Sequence, residues 1–370
     1  MQQLWIALIA LLLLSSPAAA STKAASTEAP AADHAHPQKT REATESDIGF
    51  RQIHLQDDQA QRPLTVSLWY PARHDTGQPV KLGDNPVFYG VPVLKEARLS
   101  APEPLPLILM SHGYRGHWRN LNWLAATLAR QGYLVAAPDH PGTTTFDTDP
   151  AQAAQWWQRP RDLSRTLDGL LASPTYGSHI DPHRIGAIGH SQGGWTVVSL
   201  AGGQVSSAHL ARQCREPGLS NGCGLITELG LAQDSDAQGR SRNLGLHDPR
   251  IAAIISLDLG LANSFTPQSL AAIMVPTMIL AAGVNNHNLP QALESGYLAK
   301  YLDPRLTDYQ VLANATHSTF MGRCKPGGKA IVEEEAPDEG KVCDSVPGTT
   351  RAREHQAIAR HVTDFLTRHL

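Results

Sequence analysis

The stretch Gly189-His190-Ser191-Gln192-Gly193 follows Arg184-Ile185-Gly186-Ala187-Ile188 and precedes Trp195 to Leu200, so it reads as the turn between a short apolar strand and a helix. A serine on such a turn is held in a strained backbone conformation with its hydroxyl projecting above the sheet, and only small residues fit two positions to either side. Gly189 and Gly193 meet that requirement, which makes Ser191 the expected nucleophile of an acyl-transfer reaction. The plain alternative is a glycine-rich turn with a buried serine.

A serine nucleophile needs a base, and in this architecture the partners follow in the chain order Ser, acid, His. His317 lies in Asn314-Ala315-Thr316-His317-Ser318-Thr319, a small polar loop just past the last expected strand, and is the expected base; His287 is the alternative. His355, His361 and His369 fall on the final expected helix, where exposed histidines are ordinary. The loop after Pro276 to Ala281 offers Gly283-Val284-Asn285-Asn286-His287-Asn288, with no carboxylate. One strand earlier, Asp258 closes Ile254-Ile255-Ser256-Leu257, a place where an ionised group is costly without a partner such as an imidazolium. Asp258 is therefore the expected acid, against Asn286 as an amide orienter or a simple turn aspartate at 258.

Two backbone N–H groups should meet the developing oxyanion, one from the residue after the nucleophile and one from the loop after the first long central strand. Gln192 supplies the first. In Ser111-His112-Gly113-Tyr114-Arg115-Gly116, Tyr114, or less favourably Gly113, supplies the second, with His112 shaping the turn. The Tyr114 side chain, with Trp156 and Trp157, is expected to line a substrate pocket; core packing is an equal alternative for the two tryptophans. This chemistry requires no metal or organic cofactor.

Positioning these residues takes alternating strands and helices, the pattern of a mostly parallel sheet covered on both faces. Phe50 to Gln56 and Leu64 to Tyr70 read as an opening antiparallel pair, and Leu105 to Met110 and Tyr133 to Ala137 as buried strands. Trp118 to Arg130 reads as a helix, and so does Arg161 to Leu171, which places Leu163, Leu167, Leu170 and Leu171 on one stripe. Ile251 to Leu257, Pro276 to Ala281 and Leu306 to Leu312 are β-like, and Arg353 to Leu370 closes as an amphipathic helix. Two long polar insertions break the rhythm: 204–250, expected to cap the site, and 322–350, expected as a stapled surface loop whose Glu333-Glu334-Glu335 run is a solvated face.

Residues 1–20 read as a signal peptide: Leu4 to Leu14 is apolar, too short to span a bilayer comfortably, and Ala18-Ala19-Ala20 offers a cleavage site, although Met1-Gln2-Gln3 lacks the usual basic residue. Residues 21–46 read as a disordered linker, leaving 47–370 as one enzyme-sized domain. Export to the periplasm or medium favours disulfides among the four cysteines, and the two local pairs, Cys214 with Cys223 and Cys324 with Cys343, each bracket a segment without a core of its own. A formal net charge of -3 gives no basic footprint for nucleic acid, so a small-molecule partner is expected, with no stable membrane span after cleavage.

With these residues the chain resembles the α/β-hydrolase superfamily and, within it, the platelet-activating-factor acetylhydrolase and dienelactone hydrolase-like group of secreted bacterial esterases. The resemblance runs from Phe50 to about Phe320. It is carried by Val66-Ser67-Leu68-Trp69-Tyr70-Pro71-Ala72, Ser111-His112-Gly113, Arg161-Asp162-Leu163, the Ser191 turn, Leu257-Asp258 and His317. It implies an α/β-hydrolase fold and independently favours Asp258 as the acid. Dienelactone hydrolases proper use cysteine where this chain has Ser191. The expectation is an exported serine hydrolase that cleaves carboxylic esters, with short acyl chains preferred, through an acyl-enzyme. The alternatives are a peptidase or amidase using the same triad, or a catalytically silent binding protein of this fold.

Overall fold

Strands that alternate their side chains between two covered faces read as near-continuous apolar runs, and the central strands do so. Leu107 and Leu109 face one core, Ile108 and Met110 the other; Ile185 and Ala187 face the first, Ile188 the second. The computed structural model describes residues 47–56, 62–215, 244–287 and 289–370. The expected signal peptide and linker, the centre of the expected cap (216–243) and Cys223 lie outside the described residues.

The strands are β1 (Asp47–Leu55), β2 (Leu64–Ala72), β3 (Gln78–Leu82), β4 (Val91–Lys95), β5 (Leu105–Ser111), β6 (Leu134–Pro138), β7 (Ile180–His190), β8 (Ala253–Leu257), β9 (Thr277–Val284) and β10 (Thr307–Thr316). They form one sheet in the order β10-β9-β8-β7-β5-β6-β2-β1-β4-β3. From β6 through β10 the neighbours run parallel; β2 joins β6 and β1 antiparallel, as expected for the opening pair. The β3/β4 hairpin adds two strands beyond those expected from the sequence. Its strands are short and largely exposed, and β3 carries Pro79, which a sheet tolerates at an edge.

The helices are α1 (Asn122–Arg130), α2 (Pro150–Ala153), α3 (Gln158–Leu171), α4 (Gln192–Leu200), α5 (Ser207–Gln213), α6 (Pro267–Ala271), α7 (Ser295–Tyr301), α8 (Gly328–Glu335) and α9 (Arg351–His369). Leu163, Leu167 and Leu170 of α3 and Val197, Val198 and Leu200 of α4 bury against one face of the sheet. Leu124 and Leu128 of α1 and Ile358, Val362 and Phe365 of α9 bury against the other. This is the α/β-hydrolase fold.

Segment 322–350 is more ordered than a surface loop: it forms α8, closes the Cys324–Cys343 disulfide and docks on residues 84–90. Lys325 N donates to Val87 O (2.7 Å), Tyr89 N donates to Arg323 O (3.0 Å) and Lys325 Nζ pairs with Asp84 (2.7 Å). Glu333, Glu334 and Glu335 are exposed, as expected.

The chain leaves β5 for β6 on one side and later crosses to β7 on the other. The loops after β5 and β7 therefore diverge at adjacent strand ends, Ser111 opposite Gly189, and open a crevice at the carboxyl edge of the sheet.

Candidate active site

Ser191 stands at that crevice, between β7 and α4, with φ 57° and ψ −123°. The glycines around it are required by contact. A Cβ at Gly189 would lie 1.9 Å from the Gly193 carbonyl oxygen, and one at Gly193 would lie 2.0 Å from the Ser111 carbonyl oxygen. The loop after β5 crowds the serine: a Cβ at Gly113 would lie 3.1 Å from Ser191 Cβ and 3.6 Å from its Oγ. Gln192 is buried in the first turn of α4, and Tyr114 is half-buried.

His317 follows β10, and its Nδ1 meets Asp258 Oδ2 at 2.7 Å. The other carboxylate oxygen, Oδ1, accepts from Ala282 N (2.8 Å), so β9 fixes the carboxylate while Oδ2 holds the imidazole. A carboxylate can only accept, which puts the ring proton on Nδ1 and leaves His317 Nε2 as an acceptor. Both side chains are mostly enclosed, with 12% and 7% exposure.

Asn286, the alternative orienter, bonds His287 Nδ1 instead (2.6 Å). The His287 ring lies 5.2 Å from that of His317, and burial, followed by the neighbouring His317, depresses its pKa to about 4.

Three groups fix the His317 loop that sequence reasoning did not single out. His190 Nε2 donates to the His317 carbonyl (3.0 Å), and burial holds His190 neutral, well below its usual pKa. Trp123 Nε1 donates to Phe320 O (2.9 Å). His355 was expected to be exposed; it is buried, stacks on Trp123 at 3.6 Å and donates to the carbonyls of Thr319 and Met321 (2.9 Å each). Fully buried Glu294 accepts from Ala262 N (2.8 Å), and burial, with the Asp258 charge as a lesser cause, raises its pKa to about 8. Trp156 is 2% exposed and packs edge-on against Trp195 (5.1 Å) in the core, and it also lines a small cavity with Gln204 and Leu244 to His247; Trp157 is half-buried beside it.

Residues 102–211 match the family model described as serine aminopeptidase, S33. Lipase 1 of Moraxella sp. (strain TA144) is 34% identical over 97 residues, covering 26% of this chain and 28% of that protein. Cutinase est1 of Thermobifida alba is 34% identical over 96 residues, covering 25% and 29%. Dipeptidyl-peptidase 5 of Porphyromonas gingivalis is 33% identical over 86 residues, covering 22% and 12%. The chain thus spans less than a third of the length of these relatives. Among solved structures, a ferulic acid esterase from Streptomyces cinnamoneus aligns over 90% of this chain and 92% of that one, with TM-score 0.59 and 24% identity, a likeness of fold. The narrower acetylhydrolase resemblance rests on the motif residues alone.

Proposed function

We propose that this chain is an ester-cleaving serine hydrolase that works through an acyl-enzyme at Ser191. The observation that carries the reading is the Asp258–His317 hydrogen bond beside a serine in elbow geometry at the sheet's switch point. His317 Nε2 takes the Ser191 proton as Oγ attacks the carbonyl, and the N–H groups of Gln192 and Tyr114 receive the oxyanion. The imidazolium, held by Asp258, then protonates the leaving alcohol. Water activated by the same His317 releases the acid. The lipase, cutinase and ferulic acid esterase likenesses support an ester as substrate.

The preference for short acyl chains keeps half-buried Tyr114 as its support. The Cys324–Cys343 disulfide supports export to an oxidising compartment. A second reading, an amidase, is favoured by the match to the serine aminopeptidase family and to the dipeptidyl-peptidase.

The test is a fluorophosphonate label together with a panel of p-nitrophenyl esters and p-nitroanilides. The expected result is one label per chain at Ser191, ester turnover peaking at acetyl to butyryl, and a loss of roughly 10⁴-fold or more in Ser191→Ala. Full turnover in Ser191→Ala overturns the site, and faster anilide than ester cleavage selects the amidase reading.

A further inference from the structure

Behind the loop after β5, a second serine, histidine and aspartate are closed off from solvent. Ser111, His140, Asp162 and the neighbouring Arg159 are each at most 1% exposed. The Asp162 oxygens accept from Arg62 Nε (3.0 Å) and Nη2 (2.9 Å), Arg165 Nη1 (3.2 Å) and His140 Nδ1 (3.0 Å). Four donors on two oxygens hold Asp162 as a carboxylate, although burial pushes its pKa up. His140 is kept neutral by burial and by Arg159 and Arg62, so with Nδ1 protonated its Nε2 is an acceptor. The Ser111 hydroxyl, 2.9 Å away, must donate to it, and a Ser111 lone pair faces Arg159 Nη2 at 3.3 Å. The direction of every bond from Arg159 through Ser111 and His140 to Asp162 is therefore fixed.

Arg159 reaches both sides of Ser191. Its Nε donates to Thr196 Oγ1 (3.1 Å), which donates to the Gln192 carbonyl (2.8 Å). Its Nη2 also donates to the His112 carbonyl, and its Nη1 to Thr143 Oγ1 (2.7 Å). His112 Nε2 accepts from His140 N (3.0 Å), which leaves its proton on Nδ1 to donate to Gly113 O (2.7 Å). That carbonyl shares a peptide plane with the Tyr114 N–H, so pinning one aims the other.

We propose that Arg159 is a positioning residue for the oxyanion site: one guanidinium sets the spacing between the Tyr114 and Gln192 N–H groups, and the buried Ser111–His140–Asp162 chain fixes that guanidinium. The inference rests on the serine-hydrolase reading above.

The experiment compares wild type, Thr196→Val, Ser111→Ala and Arg159→Lys. It measures ester kcat/KM and the affinities for a short-chain trifluoromethyl ketone, whose adduct with Ser191 carries an oxyanion, and for the matching alcohol, which forms no adduct. Thr196→Val and Ser111→Ala should each lose about tenfold in kcat/KM and in ketone affinity together, and Arg159→Lys about 10²-fold, with alcohol affinity unchanged. Asn122→Ala breaks the buried bond from Trp69 Nε1 and the partly buried one to Leu82 O elsewhere in the fold and should lower Tm without changing the ketone-to-alcohol ratio. Wild-type ratios in both Thr196→Val and Ser111→Ala overturn the proposal even if Arg159→Lys fails to fold. A wild-type protein that hydrolyses no ester and takes no label overturns the hydrolase reading, and this inference with it.

Discussion

His190 and His317, 127 residues apart in sequence, are joined by a 3.0 Å hydrogen bond from the imidazole of one to the backbone carbonyl of the other, with their rings 4.5 Å apart. The residue before the expected nucleophile thus holds the backbone of the expected base, so the two ends of the proposed proton transfer share one anchor.

His190→Phe keeps a ring against Phe320 and removes the N–H donor. It should slow fluorophosphonate labelling and ester turnover by the same factor, about tenfold, because a small misplacement of the base is expensive. The loss of one buried bond should cost stability only about 1–3 kcal/mol. Unchanged labelling kinetics would show that the bond does not position His317.

Asp258→Asn should keep the fold, since an amide oxygen can still accept from Ala282 N, while its NH2 faces His317 Nδ1 and drives the ring into the wrong tautomer. Turnover should fall by about 10⁴-fold, as it does in serine–histidine–aspartate triads. Asn286→Ala, which loses a bond to His287, should cost far less. The reverse order would move the acid away from Asp258.

Glu294 adds a pH dependence of stability. Its folded pKa, raised to about 8 by burial, lies above the value in the unfolded chain, so the folded state holds the proton more tightly. The stability it contributes is full below the unfolded carboxylate pKa of about 4.3 and is lost as pH rises toward 8. Glu294→Gln should remove that slope, flattening Tm across the window and raising it relative to wild type at the alkaline end. A parallel Tm profile in both proteins would refute the assignment.

Trp156→Ala should destabilise by about 3–5 kcal/mol, the cost of emptying a core site, and not lengthen the preferred acyl chain. Trp156→Phe should cost much less, because Trp156 Nε1 has no hydrogen-bond partner among the described residues to lose. A folded Trp156→Ala enzyme with a shifted chain-length optimum would return the residue to the pocket.

The parts of the site that sequence reveals are those whose constraints are local. Gly189 and Gly193 are dictated by contacts within the Ser191 turn and its neighbouring strand end, so five residues disclose the elbow. Asp258 stands out as a charge at the end of an apolar strand. Arg159, His140 and Ser111 do not, because their partners come from residue 62 to residue 196 and meet only after packing. One signal was present: Arg159, Asp162 and Thr166 fall on the same α3 stripe as Leu163, Leu167 and Leu170, and polar groups on a buried stripe imply partners. His355 is hidden for the opposite reason, since a histidine on a helix does not declare which side it faces; for Trp156 the sequence leaves core and pocket wall equally open.

Ser191 (φ 57°) and Asp258 (φ 44°) both occupy the left-handed backbone region that favours glycine. Such a conformation costs about 1–3 kcal/mol, more than the roughly 0.5–1 kcal/mol of unfolded-chain entropy that a glycine there would add. Ser191→Gly should therefore be inert as a hydrolase and melt above wild type. In an evolving lineage, drift under pressure for stability alone would keep this turn and put glycine at its apex, and only continued demand for turnover would keep a side chain there.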